Sequence, residues 1–178
     1  MNKFNAIHFN CIMGLIGSIV LVLRLSGPGL ATEQESNPGL RVKNLPGDSR
    51  FTVLTEFNNE ALRDNNTGLV WEVSPARGFF DWARAISHCT TREVGGRKGW
   101  SLPMREQLAS LVDTNSVLCR GGELCLPDGH PFQNVQSASY WSAATTAGSP
   151  TFAWVVNFLF GGALVMNLNG KGHAWCVR

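Results

Sequence analysis

Four cysteines, Cys89, Cys119, Cys125 and Cys176, limit what this chain can fold into more than any other feature. They carry weight because of what stands ahead of them. Lys3 precedes an apolar run from Ile12 to Leu23, and SGPGLA follows, with Gly29 and Ala31 at small-residue positions. That is the layout of a secretory signal peptide cleaved after Ala31. The apolar run reaches about 18 Å as a helix, short of the ~30 Å hydrocarbon core of a bilayer, and Arg24 ends it, so an uncleaved anchor is the weaker reading. Cys11 comes before the apolar run, badly placed for a lipid anchor, and leaves with the leader.

An even number of cysteines in an exported chain points to disulfides. Three pairings of the four are possible. Cys119 and Cys125 enclose RGGEL, whose two glycines let a short loop close. Cys89 and Cys176 would then tie an early helix to the last strand, a long loop whose closure is worth roughly 4–5 kcal/mol. A zinc site is the rival, but there is no CxxC pair and no histidine spaced to complete one. No metal and no cofactor are expected.

The chain has 178 residues, enough for one domain behind a leader. Six tryptophans and 44% apolar residues supply a core, and only 16% charged residues exclude a disordered or coiled-coil chain. Nineteen glycines imply many turns, and so strands more than long helices. Lys3 and Arg24 leave with the leader, which balances thirteen basic against thirteen acidic residues. A near-neutral domain of this kind gives no reason to expect nucleic-acid binding.

The organisation reads as a signal peptide over 1–31, a flexible lead-in over 32–48 and a domain over 49–178. RFTVLT (Arg50 to Thr55) and GLVWEV (Gly68 to Val73) are expected to pair as strands across a turn-rich segment. In FFDWARAISHC, Phe79, Trp82, Ala83, Ile86 and Cys89 fall on one helical face. A second helix follows GWSL, with Pro103 in its first turn, Leu108, Leu111 and Val112 as its buried stripe, and Glu106 at the positive end of its dipole. Residues 114–137 form a long loop. Strands at Ser139–Ala143 and Thr151–Phe160, a two-residue turn at Gly161-Gly162, then ALVMNL and a closing strand HAWCVR complete an antiparallel sheet. The class is α+β, two helices segregated from an antiparallel sheet.

DNNTGLVWE (Asp64–Glu72), the helix with Trp82, Ala83 and Cys89, GWSLPMREQLASLVD (Gly99–Asp113), YWSA (Tyr140–Ala143) and the terminal WCVR resemble the C-terminal domain family of the Legionella collagen-like adhesin, over roughly residues 50 to 178. The resemblance implies a secreted or surface bacterial domain with a C-type-lectin-like fold. It also implies a disulfide from the first helix to the final strand, Cys89–Cys176, and a second in the long loop, Cys119–Cys125. Where the family commonly has Trp-Arg-Leu-Pro-Thr, this chain has Trp100-Ser101-Leu102-Pro103-Met104, and Arg105 is the candidate substitute for the missing arginine. No collagen-like repeat is present, so the stalk's multivalency does not carry over.

Candidate ligand-binding residues are few. Arg92, Arg97 and Lys98 share a glycine-rich turn and Arg120 lies in the stapled loop, an anion patch if they converge and a solvated basic loop if they do not. Glu123, Asp128, Gln133 and Asn134 offer oxygens to calcium, but without the Glu-Pro-Asn or Trp-Asn-Asp triplets of calcium-binding lectins. Asp64, Asn65, Asn66 and Thr67 suit a turn. Trp71, Trp141, Trp154 and Trp175 suit the core, with one or two available for stacking on sugar rings. His88 beside Cys89 does not make a catalytic pair, because helix neighbours do not face each other. His130 and His173 stand alone, and Asp81 and Glu106 show no paired-carboxylate spacing. The sequence therefore predicts a non-enzymatic adhesion or binding module, secreted, surface-bound or periplasmic, that recognises a glycan, acidic ones included, or a surface protein. It has no stable membrane span once the leader is removed. The alternatives are an oxidoreductase like the formylglycine-generating enzymes, which share a related fold but are longer and need free thiols, and a structural subunit of an envelope assembly.

Overall fold

In a computed structural model, the described residues are 47–178. The expected signal peptide and nearly all of the lead-in lie outside them. The described residues open with a single helical turn α1 (Gly47–Arg50) running into β1 (Phe51–Leu54). β2 (Ala61–Asp64) and β3 (Val70–Glu72) follow, then α2 (Trp82–Thr91), α3 (Arg105–Ala109), the one-turn α4 (Val117–Arg120), and β4 (Ser139–Thr146), β5 (Ser149–Asn157) and β6 (Gly162–Asn167). Two antiparallel three-stranded sheets result, ordered β1-β2-β3 and β4-β5-β6. Among the described residues no helix is long and apolar enough to cross a membrane.

Several expectations are corrected. The two strands predicted to pair are separated by a third: Ala61–Asp64 pairs with β1 on one side and β3 on the other. Its ALRD sequence lies inside a string of turn residues and is too short to show a period of two. The hairpin between β5 and β6 is a four-residue loop, because Asn157 pairs with Gly162 and leaves residues 158–161 in the turn. α2 begins at Trp82, where the Asp81 carboxylate accepts the Arg84 N–H at 2.9 Å and caps the helix. Its inward face is Trp82, Ala85, Ile86 and Cys89; Phe79 is 66% exposed and outside the helix, and Ala83 faces solvent. Pro103 precedes the cap residue Met104 and stands outside α3; Leu108 is buried within the helix and Leu111 just beyond it.

The closing segment is not a strand of the meander. HAWCVR runs extended between the two sheets and bridges to both. Val70 and Arg178 exchange backbone hydrogen bonds at 2.9 and 2.8 Å, and Ser101 and Val177 do so at 2.9 and 3.0 Å. Trp141 N–H donates to His173 C=O at 2.9 Å. Side chains alternate along an extended chain, and here the alternation feeds two cores. Trp175 and Val177 join Trp71, Leu62, Tyr140 and Phe158; Ala174 and Cys176 join Trp141, Trp100, Ala85 and Val155. Trp71, Trp141 and Trp175 are fully buried, whereas Trp154 is half-exposed with the Arg105 guanidinium 4.5 Å over its ring.

Two disulfides fix this arrangement, Cys89–Cys176 and Cys119–Cys125. At the entrance to the domain Arg50 forks onto buried Asp64 at 3.0 and 2.7 Å and donates to Ser110 C=O at 2.6 Å, tying α1, β2 and the end of α3 together. Burial works to raise the Asp64 pKa, but the Arg50 hydrogen bond and charge and the Asn66 N–H outweigh it and hold the carboxyl below its usual value. The turn role expected of Asp64–Thr67 is visible here: Asp64 Oδ1 accepts the Asn66 N–H at 3.0 Å.

Replacing Cys89 and Cys176 by alanine should lower stability by about 4–5 kcal/mol, against about 2–3 kcal/mol for Cys119 and Cys125, read as urea midpoints. A carboxylate whose folded pKa is depressed adds stability above its unfolded value of 3.8, and that stability fades as pH falls through the folded value. The acid limb of the stability–pH curve should therefore flatten in Asp64→Asn, measured by thermal melts from pH 2 to 5.

Candidate functional site

Glu72 is a charged residue in an apolar strand, and β3 buries it beside Trp71. A buried carboxylate needs partners. Cys176 N–H donates to Oε1 at 3.1 Å and Arg92 Nε donates to Oε2 at 3.1 Å, while Trp175 Nε1 holds the Glu72 carbonyl at 3.0 Å. Burial pushes the Glu72 pKa up, and the Cys176 N–H and the Arg92 charge only partly pull it back. Arg92 stands at the C-terminal cap of α2, with its N–H on Cys89 C=O. Its side chain is 38% exposed, and among the described residues its two terminal nitrogens make no hydrogen bond.

Arg92 lines a cleft of about 410 Å³. Glu72, Val73, Pro75 and Val94 make its buried floor, and Asn59, Glu60, Ser74, Glu93 and Gln133 make the rest of the wall. The wall is held from outside. Glu60 Oε2 accepts the Gly95 N–H at 2.7 Å. Gly95 has φ 57°, and a Cβ there would lie 2.2 Å from Phe57 O, so only glycine fits. Gln133 N–H donates to Val73 C=O at 2.8 Å, which leaves its exposed side chain at the rim. Few apolar groups line the cleft, and donors and acceptors converge from several directions. It suits a polar ligand with many hydrogen-bonding groups.

The structure separates the residues the sequence grouped. Arg92 faces the cleft. Arg97 donates to Glu56 C=O at 3.1 Å and packs 5.0 Å over the Phe57 ring, and Lys98 lies 3.9 Å from Glu93. Arg120 ends α4, exposed. Arg97 and Lys98 thus have partners within the fold and do not join Arg92 at the cleft. Among the loop oxygens, Asp128 accepts the Val117 N–H with both carboxylate oxygens at 3.0 Å and so caps α4. Asn134 accepts from Arg77 and donates to Ser74 at 3.0 Å. Glu123 is exposed, and its carbonyl accepts from Ser137. Arg105 pairs with Glu106 at 2.7 Å.

The histidines lie in apolar settings that lower their pKa values. His173 packs against Phe79 and Tyr140, with ring centroids 4.6 and 5.3 Å away, and is buried. His130 lies 5.8 Å from the Phe132 ring. His88 stacks 4.9 Å from Phe80, with its Nε2 buried and unpartnered among the described residues; burial and Arg92 lower its pKa. Tyr140 is pushed up to about 12 by burial while its hydroxyl accepts the Gln136 N–H at 2.7 Å. Ligand atoms of Glu72, His88 and Cys176 lie within 4.8 Å of one another. The sequence reading missed the cleft because its walls come from four separate segments; its one local signal was the acid inside GLVWEV.

A small α+β domain, fastened by one disulfide across its core and another within a surface loop, carries this cleft. Residues 60–178 match the Lcl C-terminal domain, and the chain belongs to that family. No curated protein matches it.

Removing the cation beside a buried acid strands the charge. Arg92→Ala should cost about 1–3 kcal/mol, reduced from the fully buried case by the exposure of Arg92, and should raise the Glu72 pKa further. Chemical denaturation and a carboxyl-resonance titration measure the two effects.

Proposed function

We propose that this protein is an exported bacterial binding module, not an enzyme, and that it recognises a glycan or a surface protein through the cleft at Arg92. The observation that carries this reading is a guanidinium with two uncommitted nitrogens, set in a polar recess whose floor is locked to the core. Arg92 then takes a carboxylate or sulfate group in a bidentate grip, while Glu60, Ser74 and Gln133 take hydroxyls or amides. Membership of an adhesin-associated family supports the reading. So does the arrangement of two helices and antiparallel sheets with a stapled loop, which we assign to the C-type-lectin-like class. The disulfides and the absence of a membrane-crossing helix among the described residues fit secretion. The reading needs neither calcium nor nucleic acid.

Thiol oxidation chemistry fits poorly, because the four cysteines of the described residues are spent in disulfides. A structural role in an envelope assembly has one observation in its favour. β6 is an outer strand with Leu164 and Val165 exposed, beside a hairpin tip carrying exposed Leu159 and Phe160. Light scattering of the purified chain distinguishes the two, since assembly requires a concentration-dependent mass.

Binding on a glycan array or in a pull-down from surface extracts should fall at least about tenfold in Arg92→Ala and Gln133→Ala, each about one charge-assisted or polar contact. Blank results from both assays with the natural chain would overturn the binding reading.

A further inference from the structure

The cluster beneath the cleft supports a second chemistry, which shares Glu72 and Arg92 with the cleft and does not depend on what the cleft binds. Cys89 and Cys176 are joined at the centre of the fold, where both are fully buried. Around them stand an imidazole and a carboxylate: ligand atoms of Glu72, His88 and Cys176 lie within 4.8 Å of one another, and Cys89 is bonded to Cys176. His88 Nε2 is buried and has no partner among the described residues, which leaves it uncommitted as a metal ligand. Zinc takes four such ligands tetrahedrally, with bonds of about 2.0–2.3 Å, so Glu72, His88 and Cys176 need to close by about 1 Å while the two sulfurs part.

We propose that, when the Cys89–Cys176 disulfide is reduced, Cys89, Cys176, His88 and Glu72 form a closed tetrahedral zinc site that replaces it as the tie between α2 and the terminal segment. A dithiol reductant breaks the S–S bond, supplies two electrons and two protons, and leaves as its own disulfide. Zinc then displaces the two thiol protons. The charges close: two thiolates and the Glu72 carboxylate face the dication, and Arg92, 3.1 Å from the carboxylate, balances the remaining negative charge. Arg92 Nε and Cys176 N–H already hold the two Glu72 oxygens, the outer hydrogen bonds that orient a metal-binding carboxylate. The two sulfurs, one nitrogen and one oxygen favour zinc over calcium or magnesium. With four protein ligands the site has no open position, so its role is structural.

The test uses the full chain carrying Cys11→Ser, Cys119→Ser and Cys125→Ser, which removes the competing thiols, with the natural chain alongside. Each is reduced with a phosphine and titrated with zinc, then with cobalt. The expected result is one zinc per reduced chain, native-like circular dichroism only when zinc is present, and cobalt bands of a tetrahedral site with two thiolates. The oxidised chain should take up none. His88→Ala, first checked for normal folding in its oxidised form, should weaken zinc binding beyond the about 10–100-fold that follows loss of an outer-shell partner. No uptake at micromolar zinc, a reduced chain that stays unfolded with zinc, or unchanged affinity in His88→Ala would each overturn the proposal.

Discussion

The structure depends on one extended segment, His173–Arg178, lying between two sheets that do not otherwise form a continuous ladder. Its backbone hydrogen-bonds to β3 on one side and to Ser101 on the other, and its His173 end reaches β4. Its side chains divide between two apolar clusters. The Cys89–Cys176 bond adds a covalent link at the same place, so the first long helix, both sheets and both cores meet on six residues. A domain of this size buries a limited core, and concentrating its cross-links along one seam lets strands of three and four residues persist as sheets.

Two buried acids mark the two ends of the first sheet, and their surroundings push them in opposite directions. Asp64 receives a two-point grip from Arg50 and a backbone N–H, and stays ionised more readily than in water. Glu72 receives one nitrogen of Arg92 and one backbone N–H while being almost fully buried, and burial dominates. The first acid closes the domain's entrance. The second leaves its arginine with two nitrogens that make no hydrogen bond among the described residues. Side-chain type does not separate the two roles; the number of donors reaching each carboxylate does.

Much of the frame could be read from the sequence. The cysteine spacing and family resemblance agree with the disulfides found, and the apolar period placed α2 within three residues of its start. The misses follow from short-range ambiguity. ALRD is a strand only because β1 and β3 flank it, and no local pattern in four residues announces that. HAWCVR has the alternation of a strand, but its two faces meet two different cores, so it becomes a seam. Arg97 and Lys98 looked available because sequence cannot show that Phe57, the Glu56 carbonyl and Glu93 lie opposite them. The cleft was the least legible part, since residues 59–60, 72–75, 92–94 and 133 are far apart in sequence and become neighbours only in the folded chain.

The seam also imposes an order of events. It is made by the last-synthesised of the segments it joins, so nothing emerging earlier from the ribosome can complete either core. Each sheet can pair its own strands before then, but both apolar clusters stay open until the segment arrives. Closing the two cores is therefore a long-range step, of the kind that slows folding.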